Sequence, residues 1–176
     1  MSSQNCLIIL GAGQYGVMAA EIAESMGVFD RIAFLDDSFN TCHSREGGNL
    51  LLGTFADLPK FAAEFCYGFV AIGNPALRRK LTEQLQQNSF TLATLVHPTA
   101  YVSPSTQLES GCCVEPNATV QTGAVIKQAS FIASGAVIRH NATVGEFCHV
   151  DCNAVVDTLA VVPVGTHILA QETYRA

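Results

Sequence analysis

A chain of 176 residues, 49% hydrophobic and only 14% charged, holds enough apolar material for one substantial core or two small ones. Its net charge of −6, without any clustered Lys/Arg tract, argues against nucleic acid or an anionic membrane as partner. Seven cysteines, odd in number and lacking CxxC spacing, argue against a disulfide framework or a zinc knuckle, and the apolar run Cys6–Leu10 is too short for a signal sequence or a membrane span, so a cytoplasmic location is expected.

The first half alternates strand and helix patterns. A β-run Cys6–Leu10 meets Gly11-Ala12-Gly13-Gln14-Tyr15-Gly16, and an apolar helix follows to about Met26. Next come a strand Arg31–Leu35 ending in Asp36-Asp37, an aperiodic segment Asn40–Asn49 read as a solvated loop, and a helix near Asp57–Phe65. A strand Gly68–Ile72 runs into Gly73-Asn74, and Pro75 opens a helix through Gln87. A last strand, Thr91–Val96, leads to His97-Pro98. A glycine-rich turn between a strand and a helix suits phosphate binding, since the helix N-terminal amides face an anion. Asp36 lies where a dinucleotide fold places its ribose carboxylate, yet fewer than about a hundred residues supply one mononucleotide half and not two. A glycine set that serves only the tight turn is the plainer alternative.

From Val102 to Ile168 every sixth residue is aliphatic, and the position four after each is small: Thr106, Cys112, Ala118, Ala124, Ser130 and onward to Thr166. Two inward columns with period six define a hexapeptide β-solenoid, with three sides closing a coil of eighteen residues and about four coils in all. The corners carry Gly111, Asn117, Gly123, Gly135, Asn141, Asn153 and Gly165, types that tolerate left-handed backbone. The period does not give the hand of the coil. The expected division is 1–96 and 97–176. Outward apolar residues Val125, Phe131, Val137, Val155 and Val161 mark an interface or an aggregation risk.

A small nucleotide-binding α/β domain joined through His-Pro to such a solenoid resembles the sugar acetyltransferases typified by UDP-4-amino-sugar (bacillosamine-pathway) N-acetyltransferases and sialic acid O-acetyltransferases. The resemblance covers nearly the whole chain. Its carriers are the glycine turn, Phe34-Leu35-Asp36-Asp37, Ala71-Ile72-Gly73-Asn74 with Arg78-Arg79-Lys80, His97-Pro98, Val137-Ile138-Arg139-His140 and Val144-Gly145-Glu146-Phe147-Cys148-His149. It implies a Rossmann-like nucleotide-sugar-binding domain followed by a left-handed parallel β-helix that assembles as a homotrimer with active sites between solenoids. It further implies that Gly11, Gly13, Gly16, Asp36, Asp37, Gly73 and Asn74 cradle a UDP-sugar or related amino sugar, with Arg78 or Arg79 near the diphosphate. His140 matches the family's general base, with Asn141 beside it, and His149 and Glu146 are assigned to acetyl-CoA, the co-substrate; no metal is expected.

Three features depart from that pattern. Asn141 stands where an acidic residue normally supports the histidine, Ala133-Ser134 replaces an Asn-Thr or Asn-Ser pair, and the chain stops about half a coil after His167. Two other functions therefore remain open: a nucleotide-sugar-binding module without turnover, and a metal-dependent lyase of the γ-carbonic anhydrase kind. The lyase would use His149 and His167, which eighteen residues of spacing stack roughly 4.8 Å apart.

Overall fold

The computed structural model describes residues 5–38 and 50–175; the segment read as a loop, Asn40–Asn49, lies outside the described residues. The chain divides into two compact units, Met1–Ala93 and Thr94–Ala176.

In the first unit, strands β1 (Cys6–Leu10), β2 (Arg31–Leu35), β3 (Leu50–Gly53), β4 (Tyr67–Val70) and β5 (Thr91–Leu92) pair in the order β3-β2-β1-β4-β5. All pairs are parallel. Helices α1 (Gln14–Met26) and α3 (Pro75–Gln87) fall as the sequence predicts, and a 3₁₀ turn Phe55–Asp57 leads into the short α2 (Leu58–Phe61). Continuous burial of β1 is what a central parallel strand requires. Helix α1 turns small residues inward, Gly16, Ala19, Ala20 and Ala23 with Ile22. A Cβ at Gly68 would stand 2.4 Å from Leu85 Cδ2, so β4 carries glycine where α3 packs closest. The sequence reading did not anticipate β3, whose partner β2 precedes it by a long connection.

The second unit is a parallel β-helix of two-residue strands, stacked in sheets of five, four and five. Every strand pairs with the one eighteen residues away, as Val137↔Val155 and His149↔His167 do. The inward aliphatic and small columns form one continuous core, with Val120, Ile126, Ile138, Val144 and Val156 fully buried among Ala124, Ala136, Ala142 and Ala154. Polar members of the small column bond upward: Cys112 Sγ donates to Lys127 O, Ser130 Oγ to Gly145 O and Cys148 Sγ to Pro163 O. The expected strand Thr91–Val96 is in fact two. Thr91–Leu92 joins the first unit's sheet, whereas Leu95–Val96 pairs with Cys113–Val114 and starts the solenoid, so the stack exceeds the four coils expected.

The corners obey one rule. Every sixth residue from Gly111 to Gln171 has φ between 54° and 78°, and its amide donates to a carbonyl of the coil before, as Asn141 N does to Thr122 O at 3.0 Å. At the first corners Thr94, Thr99 and Ser105 hydroxyls accept instead. Four corner residues, Ala129, Phe147, Leu159 and Gln171, are of types that pay a strain of about 1–3 kcal/mol in this region. Leu159 is 66% exposed, so its side chain contributes little packing in return. Leu159→Asn is expected to stabilise the chain by about 1 kcal/mol and raise the midpoint of thermal unfolding by roughly 2–4 °C. An unchanged or lower midpoint in calorimetry would show that the left-handed corner carries no such strain.

Candidate active site

The strand order reverses between β1 and β4, and in open parallel sheets the crevice beyond the carboxyl ends of such strands is where ligands bind. The glycine turn follows β1 there, and Ala71–Asn74 follows β4. The glycines divide by what surrounds them. Gly11 has φ 108°, and a Cβ would lie 2.9 Å from Ala71 O; at Gly16 it would lie 2.0 Å from Gly11 O. These two make the turn and the helix contact. Gly13, the N-cap of α1, and Gly73 have nothing within 4 Å of a Cβ position. Backbone is therefore open to approach at Gly13, beside a cleft of about 500 Å³ lined by Ala12, Gly13, Gln14, Val17, Met18 and Glu21.

Asp36 braces this turn: Oδ2 accepts the Ala12 amide at 2.8 Å, and Oδ1 accepts the Ser38 amide and hydroxyl. Burial works to raise its pKa, but those hydrogen bonds outweigh it and hold the carboxyl below the ordinary value. Asp37 Oδ1 accepts from Phe55 N, on the rim of a cleft shared with Leu77 and Lys80. Asn74 caps α3, its Oδ1 accepting from Leu77 N at 3.0 Å. Arg78 corrects its sequence-level reading. Its side chain is fully buried, with Nη1 donating to Ile72 O at 2.8 Å and Gly73 O at 3.0 Å, so the guanidinium holds the turn after β4 and does not present itself to a diphosphate.

In the solenoid, His140 follows the Val137–Ile138 strand and occupies an edge between a five-stranded and the four-stranded sheet. It is exposed and lines a cleft of about 530 Å³ with Tyr101, Gln121, Thr122 and Asn141. Asn141 turns the corner with φ 57°, and its Oδ1 lies over Gly123, where an added Cβ would sit 2.3 Å away. The sequence reading missed Tyr101, Gln121 and Thr122, although Gln121 and Thr122 are recoverable by subtracting nineteen and eighteen from 140. It also missed Thr158, one coil beyond His140, whose buried Oγ1 has no hydrogen-bond partner among the described residues.

Glu146 and His149 lie elsewhere on the prism. Glu146 is on the next edge, and His149 begins a strand of the other five-stranded sheet. The His149 and His167 rings stack 4.8 Å apart at 13°, with Phe131 edge-on to His149 at 5.9 Å and Asp151 Oδ2 3.4 Å from His167 Nε2. The Cys152 amide, against the effect of burial and together with His167, keeps the Asp151 carboxyl below its ordinary pKa. No group of three or more His, Cys, Asp or Glu side chains among the described residues has metal-binding geometry. No helix among them is long and apolar enough to cross a membrane.

Comparison with known proteins places this geometry. Residues 6–85 match the model of the PglD N-terminal domain. UDP-N-acetylbacillosamine N-acetyltransferase of Bacillus subtilis is 30% identical over 109 residues, 58% of this chain; the chain spans about half of that relative, 48%. The acetyltransferase domain of PglB from Neisseria gonorrhoeae, solved with acetyl coenzyme A, superposes with a TM-score of 0.70 at 28% identity, covering 93% of this chain and 95% of that one. PerB from Caulobacter crescentus, solved with CoA and GDP-perosamine, reaches 0.72 at 21% identity over 95% and 90% of the two chains, a likeness of fold. Residues 6–85 are thus similar to the PglD N-terminal domain, and the chain shares with the acetyltransferase domain of PglB the fold of a Rossmann-like unit followed by a left-handed hexapeptide β-helix.

Proposed function

We propose that this chain is an acetyl-CoA-dependent acetyltransferase acting on the amine, or the hydroxyl, of a nucleotide-linked sugar such as a UDP-4-amino sugar. The observation that carries this reading is His140, exposed at a solenoid edge within a 530 Å³ cleft, in a chain whose first unit keeps Gly13 open at the mouth of a helix. The sugar nitrogen attacks the thioester carbonyl, His140 takes the proton it loses, the C–S bond breaks, and the imidazolium hands that proton to the departing sulfur, so that CoA leaves as the thiol. An imidazole can accept a proton at one ring nitrogen and give it up again, which suits a base that must take up and release one proton each cycle. In the first unit, the Gly13 backbone and the amides at the start of α1 receive the diphosphate, while Asp36 and Arg78 hold the turns on either side of it. Asp37, Gly73 and Asn74 line the same end of the sheet and take the remainder of the nucleotide sugar.

His140 and the pair assigned to acetyl-CoA, Glu146 and His149, are separated in one chain by the width of the four-stranded sheet. One site that uses all three requires two chains, which supports a homotrimer with sites between adjacent solenoids. Of the five residues expected on the outer surface, Phe131 is corrected: it is fully buried within the single chain. Val161 on the four-stranded sheet is 64% exposed and Tyr101 on its neighbour 57%, and a contact between these sheets would cover both.

His140→Ala is expected to lower turnover by roughly 10² to 10⁴ with sugar binding intact, because loss of a positioned base raises the barrier to proton transfer. Asn141→Asp, which keeps the left-handed corner and brings a carboxylate beside the imidazole, is expected to raise the rate near neutral pH. Transfer to a panel of UDP-4-amino sugars reads both; equal rates in wild type and His140→Ala would remove the histidine from the mechanism. Gly13→Val has room to fold but fills the approach to the helix, so calorimetric titration should show UDP-sugar affinity lost and acetyl-CoA affinity kept. If wild type binds a UDP-sugar and transfers nothing, the chain is a nucleotide-sugar-binding module, a reading favoured by the absence of a carboxylate at position 141. Val161→Lys should dissociate the trimer in light scattering, and a monomeric wild type at micromolar concentration refutes the assembly.

A further inference from the structure

At several corners the amide of the first residue points away from the coil-to-coil ladder and finds a side-chain acceptor by a repeated device. Gln128 N donates to Glu109 Oε2 at 2.9 Å, and Ser134 N to Glu115 Oε2 at 2.9 Å. His140 N donates to Gln121 Oε1 at 3.1 Å. In each case the acceptor stands nineteen residues earlier, at the end of the strand one coil below. Further along, Asp151 and Asp157 accept from the residues that follow them, Cys152 and Thr158. At Pro104 and Pro116 the corner has no amide to satisfy.

Among these acceptors the one beneath His140 alone is uncharged. A backbone amide only donates, so Oε1 and not Nε2 must face it, and the Gln121 side chain is thereby fixed in orientation. Gln121 is half-buried on the same edge, and its own amide and carbonyl are engaged in the ladder and the turn, Gln121 N with Ile138 O and Gln121 O with Ala124 N. The edge that carries His140 is exposed to solvent, and among the described residues the carbonyl of His140 accepts from Leu159 N at 3.4 Å. The Gln121 bond, at 3.1 Å, is thus shorter than the bond on the carbonyl side of His140.

We infer that Gln121 is a positioning residue for His140, fixing the corner from which the imidazole projects. This rests on the reading of His140 as the base. Base catalysis demands that reach: displacement by about 1 Å costs as much as 10²-fold in rate. Glutamate can make the same bond at this place, since Glu109 and Glu115 do so at the equivalent positions of neighbouring corners.

The test uses the full chain with two substitutions. Gln121→Leu removes the acceptor while filling the same volume, and is expected to lower kcat about tenfold, leave the KM for acetyl-CoA unchanged and leave the thermal midpoint within a few degrees of wild type. Gln121→Glu restores the acceptor and should return kcat to within about threefold of wild type. Hydrogen exchange at the His140 amide, followed by NMR, reads the bond without any turnover: it should quicken at least about tenfold in the leucine variant and slow again in the glutamate variant. Wild-type kcat in Gln121→Leu, failure of glutamate to restore it, or a His140 amide that exchanges as fast in wild type as in the leucine variant would overturn the inference. Absence of acetyl transfer by wild type overturns the proposed function instead, and the exchange measurement still decides whether Gln121 fixes the corner.

Discussion

Two-residue strands are too short to hold a sheet by themselves, and what makes them persist is that each corner returns the chain into register with the coil below. The left-handed residue achieves this. Its positive φ turns the backbone through the corner while its amide still reaches a carbonyl of the preceding coil, so the hydrogen-bond stack is unbroken from strand to corner to strand. The inward columns can then pack without gaps, and outward side chains are delivered to fixed places along three edges. His140 owes its location to this constraint: it is the residue before a left-handed corner, and Asn141 is the type that makes that corner with little strain.

The first unit solves a different problem with the same economy of space. Gly11 and Gly16 are glycines because no other residue fits between the turn, α1 and the carbonyl of Ala71. Asp36 ties the turn after β1 to the turn after β2, and Arg78 ties α3 to the turn after β4. Three strand ends at the switch point are thereby braced by side chains that the sequence suggests are ligand contacts. Both bonds come from one nitrogen, Nη1, whose two N–H groups have fixed directions in the guanidinium plane, so the Ile72 and Gly73 carbonyls are held in one geometry.

Much of this was legible from the residues. The period of six reads directly as inward columns, and Pro75 and the glycine turn mark helix starts that the structure reproduces to the residue for α3. The left-handed corner was legible where it carries Gly or Asn and hidden at Ala129, Phe147, Leu159 and Gln171, because there the neighbouring coils impose a conformation that the residue itself disfavours. Thr91–Val96 reads as one strand since its apolar pattern is continuous; what divides it is the change of partner, which no local pattern encodes. Arg78 and Gln121 were misread or passed over for a shared reason. Their roles depend on backbone groups six and nineteen residues away, and a carbonyl or an amide leaves no mark in the sequence.

The uniform eighteen-residue offset between paired strands has a consequence for how such a chain can change length. Inserting or deleting one residue in a strand would turn its aliphatic outward, and a change of six would keep the pattern but rotate every later side chain onto the next face. Only a change of eighteen leaves each face with its own residues. Length variation in this solenoid is therefore quantised, and an edge histidine such as His140 can gain or lose whole coils above it while keeping the same neighbours below.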